Sequence, residues 1–137
     1  MKKKDKKINC GQVIIPAEHP NPPEQHEIEV AWILARHFSC TIEFLLPVDD
    51  YKRKTADLTM DKLEWEIKSP QGHSKSTVHH KISRASKQSK YIVFDGRRTS
   101  LSDEILQRRI RVELKERRSI KRILFITKSS NVLEIMK

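Results

Sequence analysis

The sequence predicts an α/β protein built on a mixed central β-sheet flanked by helices. Residues 91–94 and 123–127 are short apolar runs of the length expected for buried strands. The stretches around residues 24–38, 76–89 and 102–118 place their apolar residues at helical spacing. Residues 57–68 alternate apolar and polar with the period of a strand, about a central break. The resulting order, α-β-β-β-α-β-α-β-β, calls for one sheet with helices on its faces.

Along the chain, residues 8–23 hold the short apolar run Val13-Ile14-Ile15 and then a loop punctuated by Pro16, Pro20, Pro22 and Pro23. A helix follows over residues 24–38, with prolines where a helix can start. Residues 40–46 read as a strand that Pro47 and Asp49-Asp50 end. Residues 76–89 form a polar helix with a thin stripe of Val78, Ile82 and Ala85. The strand at 91–94 stops at Asp95-Gly96, and Ser102 caps a long basic helix whose inner face carries Leu106, Ile110 and Leu114. After the strand at 123–127, Ser129-Ser130-Asn131 turns the chain into an edge strand over 132–136. There are no internal repeats.

The segment from Ala56 to Lys68 carries the chemistry. A hairpin turning at Asp61-Lys62 pairs residue 60 with 63, 59 with 64, 58 with 65 and 57 with 66. Leu58, Met60, Leu63, Trp65 and Ile67 then share one face, and Asp57, Thr59, Glu64, Glu66 and Lys68 the other. A slip of one residue would destroy that sorting. The register sets Asp57 against Glu66 with Cβ atoms about 5 Å apart, which destabilises a sheet unless positive charge lies between them. A divalent cation meets that need and Lys68 points to the same place, the arrangement of a metal-dependent phosphodiesterase. The turn is the weak point, because Asp-Lys lacks the glycine that two-residue hairpins favour.

At 137 residues the chain is expected to be one domain, with residues 1–7 a basic, disordered lead-in and 8–137 the folded part. No apolar run approaches the roughly 20 residues of a membrane span, and the basic start lacks the apolar stretch of a secretory signal. Cys10 and Cys40 have no metal-ligand spacing and are expected to be buried or idle thiols, an intracellular pattern. The net charge is +10, of which the lysine-rich start accounts for +4. The excess that remains suits a polyanion such as DNA or RNA. The six histidines show no ligand spacing, which disfavours a metal-free, histidine-based mechanism.

With that order in place, the strand, the hairpin bearing Asp57 and Glu66-Ile67-Lys68, the helix and the next strand resemble the restriction-endonuclease-like PD-(D/E)xK nuclease core. Ala56 stands where the name-giving proline would be. Lys54-Thr55-Ala56-Asp57, Trp65-Glu66-Ile67-Lys68-Ser69-Pro70, Ala85-Ser86-Lys87-Gln88-Ser89 and Ile92-Val93-Phe94-Asp95 are similar to C-terminal toxin domains of CdiA-type contact-dependent inhibition proteins, several of which are tRNA nucleases. The resemblance covers about residues 24–136.

It implies a metal-dependent endonuclease, with tRNA the expected substrate and a DNA endonuclease of the same fold, or a non-catalytic basic nucleic-acid-binding domain, as alternatives. Asp57 and Glu66 would hold the metal with the Ile67 carbonyl, Mg²⁺ or Mn²⁺ rather than Zn²⁺, and Lys68 would position the attacking water or offset charge on the phosphate. One more glutamate is expected from the first helix. Glu27 shares a face with Ala31, Leu34 and Phe38 and is taken over Glu29; otherwise both are acids favouring the helix dipole. Lys54, Thr55, Arg84, Gln88, Arg97, Arg98 and Lys128 are the expected nucleic-acid contacts. The resemblance also implies action in the cytoplasm, delivery as part of a secreted toxin, and a cognate immunity protein.

Overall fold

The computed structural model describes residues 11–47, 56–74 and 76–136. Seven strands lie in the sheet in their order along the chain: β1 (Gln12–Ile14), β2 (Thr41–Phe44), β3 (Leu58–Met60), β4 (Leu63–Lys68), β5 (Tyr91–Asp95), β6 (Arg122–Ile126) and β7 (Val132–Ile135). The helices among the described residues are α1 (Gln25–Phe38), α2 (Ser76–Ala85) and α3 (Asp103–Glu116). β1 runs parallel to β2, and β4, β5 and β6 are mutually parallel; the other neighbours are antiparallel. The α/β class and the mixed sheet are therefore as the sequence indicates. None of the described helices is long and apolar enough to cross a membrane.

Strand β1 is an addition to the expected order, since three residues ahead of a proline are too few to display a period of two. It forms because Gln12, Val13 and Ile14 pair with Thr41, Ile42 and Glu43 across α1. Gly11 makes the entry possible: its φ is +87°, and a Cβ there would stand 2.4 Å from the Ala35 carbonyl oxygen. Helix α1 starts behind its prolines with a capping box between Glu24 and Glu27 and ends at Ser39, in the left-handed region with φ 52°. Helix α2 is shorter than expected. Past Ala85 the ladder tightens, with the Lys87 N–H reaching Arg84 O at 3.1 Å and the Gln88 N–H reaching Ala85 O at 2.9 Å. Strand β2 is trimmed on both sides, to the residues that its neighbours pair.

The hairpin has the register the alternation demands: Leu58 faces Trp65, Thr59 faces Glu64 and Met60 faces Leu63. Asp61 and Lys62 both take positive φ, 55° and 66°. This is the turn whose twist matches the strands, built here without glycine. Trp65, fully buried, anchors it, and its indole N–H reaches the Met60 carbonyl at 3.4 Å.

Each face of the sheet has its own core. On one, Val30 and Leu34 of α1 pack against Ile42, Leu58, Trp65, Val93 and Leu124. On the other, Val78 and Ile82 of α2 and Leu106, Ile110 and Leu114 of α3 cover Ile92, Phe94, Ile123 and Phe125. Each such aliphatic or aromatic side chain contributes roughly 1.5–3 kcal/mol by burial. Covering both faces has a consequence for Glu66. Its strand face, polar in the sequence, is roofed by helices, and Glu66 is 3% exposed. Because β4, β5 and β6 are parallel, their carboxyl ends meet at one edge of the sheet, where ligands of open α/β sheets commonly bind. Strand β3, antiparallel to β4, begins at that edge.

The strain at Lys62 is testable. Lys62→Gly is expected to raise the urea midpoint by the equivalent of about 0.5 kcal/mol, since glycine tolerates this φ at little steric cost. A lowered midpoint would contradict the left-handed turn.

Candidate functional site

Asp57 lies one residue outside the regular ladder and brackets Glu66. Its backbone N–H reaches the Trp65 carbonyl at 3.0 Å, its own carbonyl accepts from the Leu45 N–H at 2.9 Å, and its side-chain Oδ2 accepts from the Ile67 N–H at 2.7 Å. A carboxylate thus serves as an acceptor for β4 where the β3 backbone has turned away. Glu66 sits between those two contacts. Its Oε2 is 3.3 Å from Lys68 Nζ, and its Oε1 is buried without a hydrogen-bond partner. Ionising the carboxyl with an oxygen in that state costs more than losing one ordinary hydrogen bond, so the site disfavours the charged form.

The electrostatics follow from the crowding. Burial, then the neighbouring Asp57 charge, pushes the Glu66 carboxyl up to about 8, and Lys68 offsets only part of this. Burial likewise raises the Asp57 carboxyl from its ordinary value. The Ile67 N–H opposes that shift, and the charge of Glu27 adds to it.

Glu27 and Asp57 line one small cavity of about 120 Å³ together with His19 and Ala56. Glu27 also closes the capping box, its Oε1 accepting from the Glu24 N–H at 2.9 Å. Glu29 points elsewhere: it is exposed and pairs with Arg97 at 3.1 Å. Of the two glutamates, the structure brings Glu27 to the acidic pair.

The basic residues divide. Lys68, Arg84, Lys87 and Gln88 line a cleft of about 460 Å³, so Arg84 and Gln88 fall beside Lys68, which in turn contacts Glu66. Arg98 and Lys128 lie along the same edge and bond backbone carbonyls, Arg98 to Ser69 O at 3.4 Å and Lys128 to Gly96 O at 2.7 Å. Arg97 does not stand as a free phosphate clamp. Its guanidinium holds Asp95 through Nε at 2.9 Å and Nη2 at 3.0 Å, Glu29 at 3.1 Å, and the His26 carbonyl at 3.1 Å. An acid ending the apolar β5 draws it inward. Lys54 and Thr55 lie outside the described residues, as does Cys10, while Cys40 is a half-buried free thiol.

Three residues near the site escaped the reading of the sequence. Lys87 lay in a quoted stretch, but only the tightened turn after α2 aims it at the cleft. Asp95 had a signal, an acid closing an apolar run two residues before an arginine. His19 had none; it sits in a proline-rich loop with Nε2 3.0 Å from Leu45 O and Nδ1 accepting from the Asn21 N–H at 3.2 Å. Elsewhere, His79 contacts Glu113 at 2.9 Å and helps join α2 to α3.

Among the described residues, no group of three or more His, Cys, Asp or Glu side chains is placed to hold a metal ion. The donors at hand are two carboxylates and backbone carbonyl oxygen. That set still fits a hard cation, because Mg²⁺ is commonly bound by one or two carboxylates with water and substrate phosphate completing its shell. The partnerless Glu66 oxygen is the observation that favours the fit.

Comparison with known proteins places this site in context. The family model for the contact-dependent growth inhibition CdiA C-terminal domain matches residues 54–132, more than half of the chain and all of β3 to β6. No curated protein matches significantly. A chain of a CdiA-CT/CdiI toxin and immunity complex from Burkholderia pseudomallei is similar in structure, with a TM-score of 0.58 at 14% identity, over 93% of this chain and 100% of that one. At that identity the likeness is one of fold.

The raised Glu66 pKa makes stability depend on pH with a definite sign. Its ordinary value is 4.5 and its folded value about 8, so the stabilising contribution is complete below pH 4.5 and is lost as pH rises through about 8. In EDTA, the melting temperature should fall over that window. Glu66→Gln should flatten the decline and melt above wild type at pH 8.5. Parallel pH profiles for the two proteins would contradict the assigned environment.

Proposed function

This chain belongs to the contact-dependent growth inhibition CdiA C-terminal domain family, and on that premise we propose that it is a toxin domain with metal-dependent nuclease activity. The observation that carries the proposal is the buried Glu66 oxygen without a partner, set against Asp57 and beside Lys68. Asp57 and Glu66 would hold Mg²⁺ or Mn²⁺, with the Ile67 carbonyl as a third protein oxygen. When bound, that ion supplies a nucleophilic water at neutral pH and neutralises charge developing on the phosphate. The sheet order supports assignment to the PD-(D/E)xK class: an antiparallel β2-β3-β4 unit joined by α2 to a parallel β5.

The protein's own groups have separable tasks. Asp57 and Glu66 are crowded so that neither readily carries a lone charge, which primes them to share a cation. The Ile67 N–H fixes the orientation of the Asp57 carboxylate. Lys68, held by Glu66 with its side chain 19% exposed, reaches into the cleft, where its ammonium offsets phosphate charge and orients the attacking water. Arg84, Lys87 and Gln88 line the rest of that cleft, which suits a phosphodiester backbone. Glu27, on the other side of Asp57, adds negative charge that strengthens the call for a cation. The excess of basic residues outside the first seven attracts a polyanion and not a small neutral substrate.

Substrate, delivery and partner follow from the family. We take tRNA as the substrate class, the recipient cytoplasm as the place of action, and a larger secreted protein as the carrier. The similar Burkholderia protein is a toxin and immunity complex, and a cognate immunity protein is the corresponding partner here.

Purified tRNA and plasmid, each incubated with Mg²⁺ and with EDTA, test the activity. The expected result is tRNA cleavage in Mg²⁺ and none in EDTA; undiminished cleavage in EDTA would overturn the metal mechanism, and cleavage confined to plasmid would turn the substrate to DNA. Glu66→Ala and Lys68→Ala should each slow cleavage by at least about 100-fold with an unchanged far-UV spectrum. A wild-type rate in either variant would sink the site assignment. Salt-sensitive binding with no cleavage by any form would leave a binding domain.

Expression without an immunity protein should arrest bacterial growth, and Asp57→Ala should restore it. Growth arrest that survives this substitution would place the toxicity outside the acidic pair.

A further inference from the structure

Strand β5 ends in a carboxylate that the nuclease chemistry does not use. Asp95 is 0% exposed although Ile92, Val93 and Phe94 before it are apolar. A buried ion pair seldom stabilises a protein more than apolar side chains of similar volume would, so stability alone does not explain the pair Asp95–Arg97. Its connections do. The Asp95 carboxylate accepts from Ser69 Oγ at 3.0 Å, next in sequence to Lys68. It also accepts from the Arg97 backbone N–H at 3.1 Å, from Nε at 2.9 Å and from Nη2 at 3.0 Å. The other side of the guanidinium grips the first turn of α1, through the His26 carbonyl and Glu29 Oε1, both at 3.1 Å.

Those two grips flank Glu27. The turn carries Glu24, Glu27 and Glu29, and it is held against Asp57 despite like charge. Arg97 supplies the opposite charge that permits this approach. One network therefore runs from β4 beside Lys68, through Asp95 and Arg97, to the helix turn beside Glu27.

We propose that Asp95 and Arg97 form a positioning strut that sets Glu27 of α1 and Lys68 of β4 against the Asp57–Glu66 pair, and that Arg97 acts through those residues without touching the substrate. The catalytic consequence rests on the nuclease reading above; the mechanical claim does not.

Two measurements separate these. Amide hydrogen exchange on the full chain reads the strut directly. In Arg97→Met and Arg97→Lys, the Glu27 and Ile28 amides should exchange about tenfold faster, while the α3 amides keep wild-type rates. Should Arg97→Met fail to fold, Arg97→Lys keeps the charge but loses the planar fork and carries the test. Unchanged protection of those two amides would overturn the strut. Kinetics read its consequence. For Arg97→Lys, kcat on tRNA should fall about tenfold with KM held within about twofold, and that fall should be smaller when the substitution is made in a Glu27→Gln background, where only the Lys68 part of the strut is left to lose. A raised KM with kcat retained in Arg97→Lys, together with a salt slope of binding shallower by about one in the uncharged Arg97→Met, would make Arg97 a phosphate contact and overturn the proposal. A wild-type protein that cleaves neither RNA nor DNA would remove the nuclease reading, and hydrogen exchange would still decide the strut.

Discussion

Two like charges confined at the end of a buried strand are the constraint on which the rest of this structure turns. Asp57 and Glu66 meet because the β3–β4 hairpin can adopt one register if Leu58, Met60, Trp65 and Ile67 are to enter the core together. The same register that buries the apolar side chains drives the acids into each other. Hydrophobic burial across the hairpin thus supports an electrostatic arrangement that would not persist in isolation. Covering the second face with α2 and α3 deepens the conflict, because it removes water that would otherwise have solvated Glu66.

The molecule answers that conflict locally and only in part. The Ile67 N–H and Lys68 stabilise the charged forms, yet burial and mutual repulsion still hold the Glu66 pKa near 8. One oxygen stays without a partner. An incompletely satisfied buried acid is a reservoir of binding free energy for a cation, which makes the arrangement more intelligible as a site than as a piece of the fold. Parallel pairing of β4, β5 and β6 then gathers Lys68, Arg98 and Lys128 along the same edge, with Arg84 and Lys87 brought over the cleft from the end of α2. The acids lie within a basic surround, the polarity expected of a protein that must attract a polyanion and hold a metal against it.

Arg97 shows how one residue type can serve opposite ends. An arginine just past a strand end is well placed to clamp a phosphate, but the buried Asp95 one turn of chain away offers a fixed, dry partner. Desolvated charge-assisted bonds outcompete a mobile ligand. The side chain is drawn inward, and its role shifts to the helix that carries Glu27.

Much of the fold and the centre of the site were legible in the residue order. Alternation in 57–68 determined the hairpin register and the meeting of Asp57 with Glu66, since a period of two is a local property that needs no distant information. The helical stripes and the apolar runs at 91–94 and 123–127 were readable because they too are local patterns, and the alternation placed the break at Asp61-Lys62 against turn chemistry, which favours a glycine there. What the tertiary structure alone decided is everything that depends on what lies across the sheet: the three-residue β1, the roofing of Glu66, and the diversion of Arg97 to Asp95. Apart from the Asp95–Arg97 bonds, which are two positions apart, these rest on contacts between residues tens of positions apart. Local periodicity says which face a side chain takes, and only packing says what that face will meet.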